Sequence, residues 1–135
     1  MDSSSTAVSR PLNRPRLALG IAGAAVVNLV VYAVASGVGA TWIANGQTVT
    51  AILVVAATVI SMVVGAVITW FLSRRWARAA ATMAVVGVAF AIVTAPAGLV
   101  ASSDSPTKWA LASMHVVTGL SWFLAVYPFR SDRAA

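Results

Sequence analysis

His115, Asn28, Thr58 and Thr94 are the side chains with the most chemical potential in this sequence, because each sits within a stretch that is otherwise apolar. An ionisable group inside a membrane is expensive and counts by default as a functional-site hypothesis. His115 therefore suggests a proton-handling group, or a contact to haem or a quinone. The plainer alternative is a neutral imidazole hydrogen-bonded to a neighbouring helix. Asn28, Thr58 and Thr94 fall at similar depths once their own stretches are centred. The four residues together suggest a polar intramembrane layer in which each group satisfies another away from lipid. Such a layer fixes helix rotation and register whether or not it binds anything.

The chemistry this layer lacks is informative. Cysteine is absent, only three residues are acidic, and His115 is the only histidine. Thiolate metal sites, bis-histidine haem ligation within one chain and a histidine oriented by a nearby acid are thereby excluded. Asp104 lies between apolar stretches, so a proton-coupled carriage step has no buried carboxylate to use. The glycines follow helix-packing spacing rather than a phosphate-binding pattern. No residue is assigned a catalytic, cofactor-binding or metal-ligating role, no cofactor is implied, and the protein is expected not to be an enzyme.

The elements that must position these residues follow from composition. The chain of 135 residues is 60% hydrophobic and only 9% charged, against roughly 25% charged residues in soluble domains. So little charge cannot cover a water-facing surface, and lipid is the natural solvent. Four uncharged runs, about 17–39, 49–72, 79–99 and 109–127, each approach the roughly 20 residues that a bilayer core demands. Residues 1–16 form a polar, proline-containing segment expected to be a disordered cytoplasmic tail, and 130–135 a second short tail. The remainder, 17–129, is one membrane domain.

Small residues recur at helical spacing: Gly20, Ala24 and Asn28; Thr58, Ser61, Gly65 and Thr69; Ala80, Ala84, Gly87, Ala91 and Ala95. These stripes predict close helix–helix seams. Pro96 is expected to kink the third helix or end it early, because it frees the carbonyl of Ile92. Thr94 is near enough to offer that carbonyl a hydroxyl. Trp42 belongs to an uncharged connection and is expected at headgroup level, with Asn45-Gly46 forming a turn. Trp122 and Phe123 are read as packing or lipid-facing groups. Thr118 can bond its own helix and carries little information by itself.

Orientation comes from the arginines. Arg10, Arg14, Arg16, Arg74, Arg75, Arg78, Arg130 and Arg133 all fall on one set of flanks, and the opposite connections hold Lys108 alone. The positive-inside rule then makes Arg14, Arg16, Arg74, Arg75, Arg78, Arg130 and Arg133 topology determinants, with both termini cytoplasmic. The net charge of +6 is explained by this placement and by anionic headgroups, not by nucleic acid. The expected fold is all-α: an up-and-down antiparallel four-helix transmembrane bundle.

Asn28-Leu29-Val30-Val31-Tyr32 in the first span and Met114-His115-Val116-Val117-Thr118 in the last, with the arginine-rich middle connection and Pro96 between them, carry a resemblance. The pattern resembles a family of small, uncharacterised actinobacterial four-helix integral membrane proteins (domain-of-unknown-function family 6069). The likeness covers nearly the whole membrane portion. It implies a multi-pass protein of the bacterial plasma membrane, with Asn28, Pro96 and His115 as notable positions, and it brings no activity with it.

Two functions compete at this level. The small-residue seams favour a non-enzymatic accessory or scaffold component, in contact with lipid and with a homo-oligomeric or membrane-protein partner. The polar layer near His115 favours a small transporter or ligand-binding module, which requires a cavity reaching that residue.

Overall fold

Asn13, Thr50 and Asp104 each start a helix. Their side chains accept hydrogen bonds from the backbone N–H groups of Arg16 (3.2 Å), Leu53 (3.3 Å) and Thr107 (2.8 Å), satisfying donors that the first turn leaves free. Pro15 and Pro106 stand in the first turns of their helices, where a missing N–H costs nothing. In the computed structural model, which describes residues 12–129, the helices are α1 Arg14–Gly37, α2 Ala51–Ser73, α3 Ala79–Ala101 and α4 Ser105–Val126. The remainder of the two expected tails, with Arg10, Arg130 and Arg133, lies outside the described residues.

Each helix has 22 to 24 residues, or about 33–36 Å at 1.5 Å per residue, enough to cross a hydrocarbon core of about 30 Å. All four are long and apolar enough to do so. Their outward faces are apolar as well: Leu19, Ile52, Val93 and Val100 are each about three-quarters exposed or more. Water would not tolerate such a surface, and lipid does.

The helices run alternately up and down in the order α1, α2, α3, α4 around the bundle. α4 is the hub, packed extensively on α3 and α1, whereas α2 rests mainly on α1 and meets α3 only thinly. The small-residue stripes explain the close pairs. A Cβ placed on Gly119 of α4 would stand 2.4 Å from that of Ala91 on α3, and one on Gly20 of α1 would stand 2.6 Å from that of Ala125 on α4. Without side chains at these points, backbones approach and gain dispersion contacts, the main attraction between helices in lipid.

Three expected boundaries move. α1 begins at Arg14 rather than near 17, inside the segment expected to be a tail, because Asn13 caps it and Pro15 fits its first turn. α4 begins at Ser105 rather than near 109, because Asp104 caps it and Pro106 fits its first turn. Pro96 does not end its helix, and α3 continues to Ala101. Thr94 donates to the carbonyls of Phe90 (2.8 Å) and Ala91 (3.3 Å), not to that of Ile92.

The α1–α2 and α3–α4 connections form a cap over one end of the bundle. Residues Ile43–Ala44 (β1) and Gln47–Thr48 (β2) pair antiparallel, with Asn45 and Gly46 both at positive φ (51° and 76°), the conformation a two-residue hairpin turn requires. The hairpin folds Trp42 against the end of the bundle, where it is only 5% exposed. It stacks on Tyr32 with ring centroids 4.1 Å apart, and its Nε1–H donates to Ser36 Oγ at 2.8 Å. The Trp42 N–H donates to Thr107 Oγ1 at 3.1 Å, and the Asn45 N–H to the Ala101 carbonyl at 2.7 Å. These bonds join the hairpin to α4 and to the end of α3. Asp104 ties the two connections together, accepting from Thr41, Ser102 and Thr107. The Thr41 hydroxyl, followed by the Thr107 backbone and side chain and the Ser102 hydroxyl, holds this carboxyl well below the usual carboxylate range.

At the opposite end, Arg16 donates to the Tyr127 carbonyl at 3.0 Å and lies over Phe129, 4.5 Å from the ring centroid. Arg74 lies 3.8 Å from the Trp70 ring centroid. Guanidinium groups against aromatic rings suit a headgroup boundary.

Candidate functional site

Asn28 bridges three helices. Its Nδ2 donates to Thr58 Oγ1 on α2 at 2.9 Å and to Thr118 Oγ1 on α4 at 3.0 Å. The two threonine hydroxyls give their hydrogens to carbonyls of their own helices, Val54 and Met114, both at 2.8 Å. Their oxygens are then acceptors only, which fixes the amide with its nitrogen toward them. The Asn28 side chain is thus held by its two N–H groups, while its Oδ1 is buried with no hydrogen-bond partner. Asn28 as a whole is 1% exposed. Leaving a buried carbonyl unpaired costs on the order of 1–3 kcal/mol, so this is an uncommon feature in a packed core.

Asn28 lines a cleft of about 760 Å³ where α2 and α3 diverge, with α4 behind. The volume lies within the usual range for small-molecule sites. The lining is almost wholly apolar, with Leu53, Val64, Met83, Val86 and Phe90 among its walls. Its polar residues are Asn28, Thr58, Ser61, Thr94, His115 and Thr118. His115 Nδ1 is 2.8 Å from the Leu111 carbonyl. A carbonyl only accepts, so Nδ1 carries the hydrogen, and Nε2 of the neutral ring is an acceptor.

The end of the cleft away from the hairpin is closed by Trp122. This α4 indole, 6% exposed, reaches between the other two walls, and its Nε1–H donates to the Met83 carbonyl on α3 at 2.8 Å. It fits because two glycines face it. A Cβ on Gly65 would lie 2.9 Å from Cη2, and one on Gly87 only 2.1 Å from Cδ1. The hairpin end is closed by the Trp42 cluster, in which Val54 and Met114 pack below the hairpin.

The structure brings Asn28 and Thr58 into direct contact. It places Thr94 and His115 on the same cleft but bonds each to its own helix. Counted from Ser105, His115 is about 15 Å along the helix at 1.5 Å per residue, near the midpoint of α4. Thr118 is the residue that sequence reasoning passed over. Its spacing of three from His115 placed it on the same helix face, and that was the signal available. Trp122 was read as a packing group, which it is, but its position as the cleft floor depends on glycines from two other helices. Arg14, Arg16, Arg74, Arg75 and Arg78 collect at the end away from the hairpin. Among the described residues, no three His, Cys, Asp or Glu side chains come together as a metal-binding group.

Four apolar spans, a lipid-compatible exterior and a cleft opening sideways define a multi-pass membrane protein of the four-helix transmembrane-bundle class. Within that class, the chain belongs to a family of unknown function (DUF6069), whose model matches residues 8–131. No curated protein and no solved structure matched it.

Proposed function

We propose that the protein is a non-catalytic binding module of the bacterial plasma membrane, taking an apolar molecule from the bilayer through the gap between α2 and α3. The observation that carries this reading is the cleft itself, about 760 Å³ with His115 and Asn28 on its lining. A site open toward lipid admits a membrane-dissolved molecule without passage through water. The Thr94 and His115 side chains offer it polar contacts inside an apolar wall.

The accessory or scaffold reading has less to stand on. The seams that suggested a partner are filled within the chain: Gly20 against Ala125, and Gly65 and Gly87 against Trp122. The termini and the arginine-rich turn 74–78 face the cytosol in this proposal, supported by the distribution of arginine against Lys108. An actinobacterial source fits the alanine- and valine-rich, arginine-over-lysine composition.

Photolabelling tests the binding reading. A diazirine-bearing 4-alkylphenol, added to the protein in lipid nanodiscs, should mark the α2, α3 and α4 walls of the cleft preferentially. Ser61 is an exposed lining residue, and Ser61→Trp should fill the site and abolish that preference. Labelling spread evenly over the lipid faces of all four helices, or unchanged by Ser61→Trp, would refute it.

A further inference from the structure

We propose that the cleft selects apolar molecules that bring a hydrogen-bond donor, such as a phenol or another hydroxyl on a hydrocarbon body, over molecules with acceptors alone. This rests on the binding reading above.

Every side-chain donor on the lining is already committed within the protein. The Ser61 hydroxyl donates to the Thr58 carbonyl and the Thr94 hydroxyl to the Phe90 carbonyl. Thr58 and Thr118 donate along their own helices, and the Asn28 amide gives its hydrogens to those two oxygens. His115 Nδ1–H is spent on the Leu111 carbonyl, and the Trp122 indole N–H on that of Met83. Backbone N–H groups on the walls are held in helices.

What remains is acceptor capacity. His115 Nε2 has no partner among the described residues, and Thr94 Oγ1 accepts nothing from them. Asn28 Oδ1 is unpartnered too, but it is closed off within the packed core and adds no contact that an entering hydroxyl can reach. The lining is therefore electron-rich on its polar side and apolar elsewhere. A hydroxyl entering this site exchanges no existing bond; it finds a vacant lone pair in a low-dielectric setting, where hydrogen bonds are strong. A ketone, ester or ether oxygen would face other acceptors with no hydrogen between them. Discrimination of this kind is steep because an unmatched polar group is costly in an apolar site. The mixed lining of aliphatic walls and Phe90 accepts either an aromatic or an aliphatic body.

Competition against the diazirine probe measures the preference. Unlabelled 4-octylphenol, 4-octylanisole and octylbenzene share one hydrocarbon body and differ in the donor. In nanodiscs, 4-octylphenol should displace the probe at about tenfold lower concentration than the other two, the scale of one well-formed hydrogen bond. The advantage should shrink in His115→Phe and in Thr94→Val, two variants that leave the Asn28 bridge intact. Equal competition by all three compounds would overturn donor selection while leaving the cleft reading in place. An advantage unchanged in both variants would overturn it as well. Failure of the probe to label the cleft at all would instead remove the binding reading itself.

Discussion

Gly87→Ala should unfold the bundle far more readily than its chemistry suggests. The added methyl would stand 2.1 Å from Trp122 Cδ1 and 2.4 Å from Nε1, where carbon contacts are comfortable only at about 3.5–4.0 Å. The ring must therefore retreat by more than about 1 Å. Its distal edge is blocked, since even the hydrogen side of Gly65 leaves only 2.9 Å from a Cβ position to Cη2. Its Nε1–H is tied to the Met83 carbonyl at 2.8 Å. Retreat breaks that bond or pries α3 from α4. Overpacking costs roughly 1–3 kcal/mol, and loss of the indole bond about 1 kcal/mol more. The helix-propensity gain of alanine over glycine offsets at most about 1 kcal/mol. A net loss of about 1–3 kcal/mol remains after the full offset. Gly23→Ala is the matched control, because a Cβ there meets nothing within 4 Å. It should be neutral or slightly stabilising. Unfolding in mixed micelles by titration with sodium dodecyl sulfate, followed by circular dichroism, measures both. Gly87→Ala should also cost much less in a Trp122→Ala background, as expected for two groups in contact. Equal stability of the two glycine variants, or a cost unchanged without the indole, would refute the placement of Trp122.

The remaining predictions concern the cap and the orientation. Asp104 has a folded pKa below its unfolded one, so its contribution is complete above about pH 4, the unfolded value, and declines as pH falls through the lower, folded value. Asp104→Asn should therefore lower the melting temperature at pH 7, and its deficit against the parent should narrow progressively below about pH 4; a deficit constant down to pH 3 would contradict the Thr41 and Thr107 contacts. The chain has no native cysteine, so single cysteines report topology cleanly. Ala77→Cys should react with a membrane-impermeant maleimide only after the cells are opened, and Gln47→Cys should react in intact cells; the reverse pattern would invert the orientation.

The class of protein was legible in the sequence because solvent decides it. Runs such as 49–72, with no charge to offer water, have lipid as their natural solvent, whereas the start of α4 at Ser105 depends on the Asp104 cap and lies outside the apolar run that begins near 109. The stripe of Gly20, Ala24 and Asn28 indicated which face of α1 approaches a neighbour, since small residues at spacing four mark one side of a helix. Asn45-Gly46 indicated a turn, but not that the turn would carry Trp42 inward over Tyr32.

The site itself was only half legible. Asn28 and Thr58 were matched by depth, an argument from helix rise, and they do meet. Depth says nothing about azimuth, so it suggested Thr94 and His115 as partners when Thr118 fills that place and the other two bond to their own helices. The gap between α2 and α3 has no local signature either. It arises because Trp122 on α4, seated against Gly65 and Gly87, lies between those helices. Hydropathy and arginine placement determined that the chain crosses a membrane and suggested which side its turns occupy, because those are sums over single residues. Which helices touch, which carbonyl stays unpaired and where a cleft opens depend on how four rods rotate against one another, and only their packing decided that.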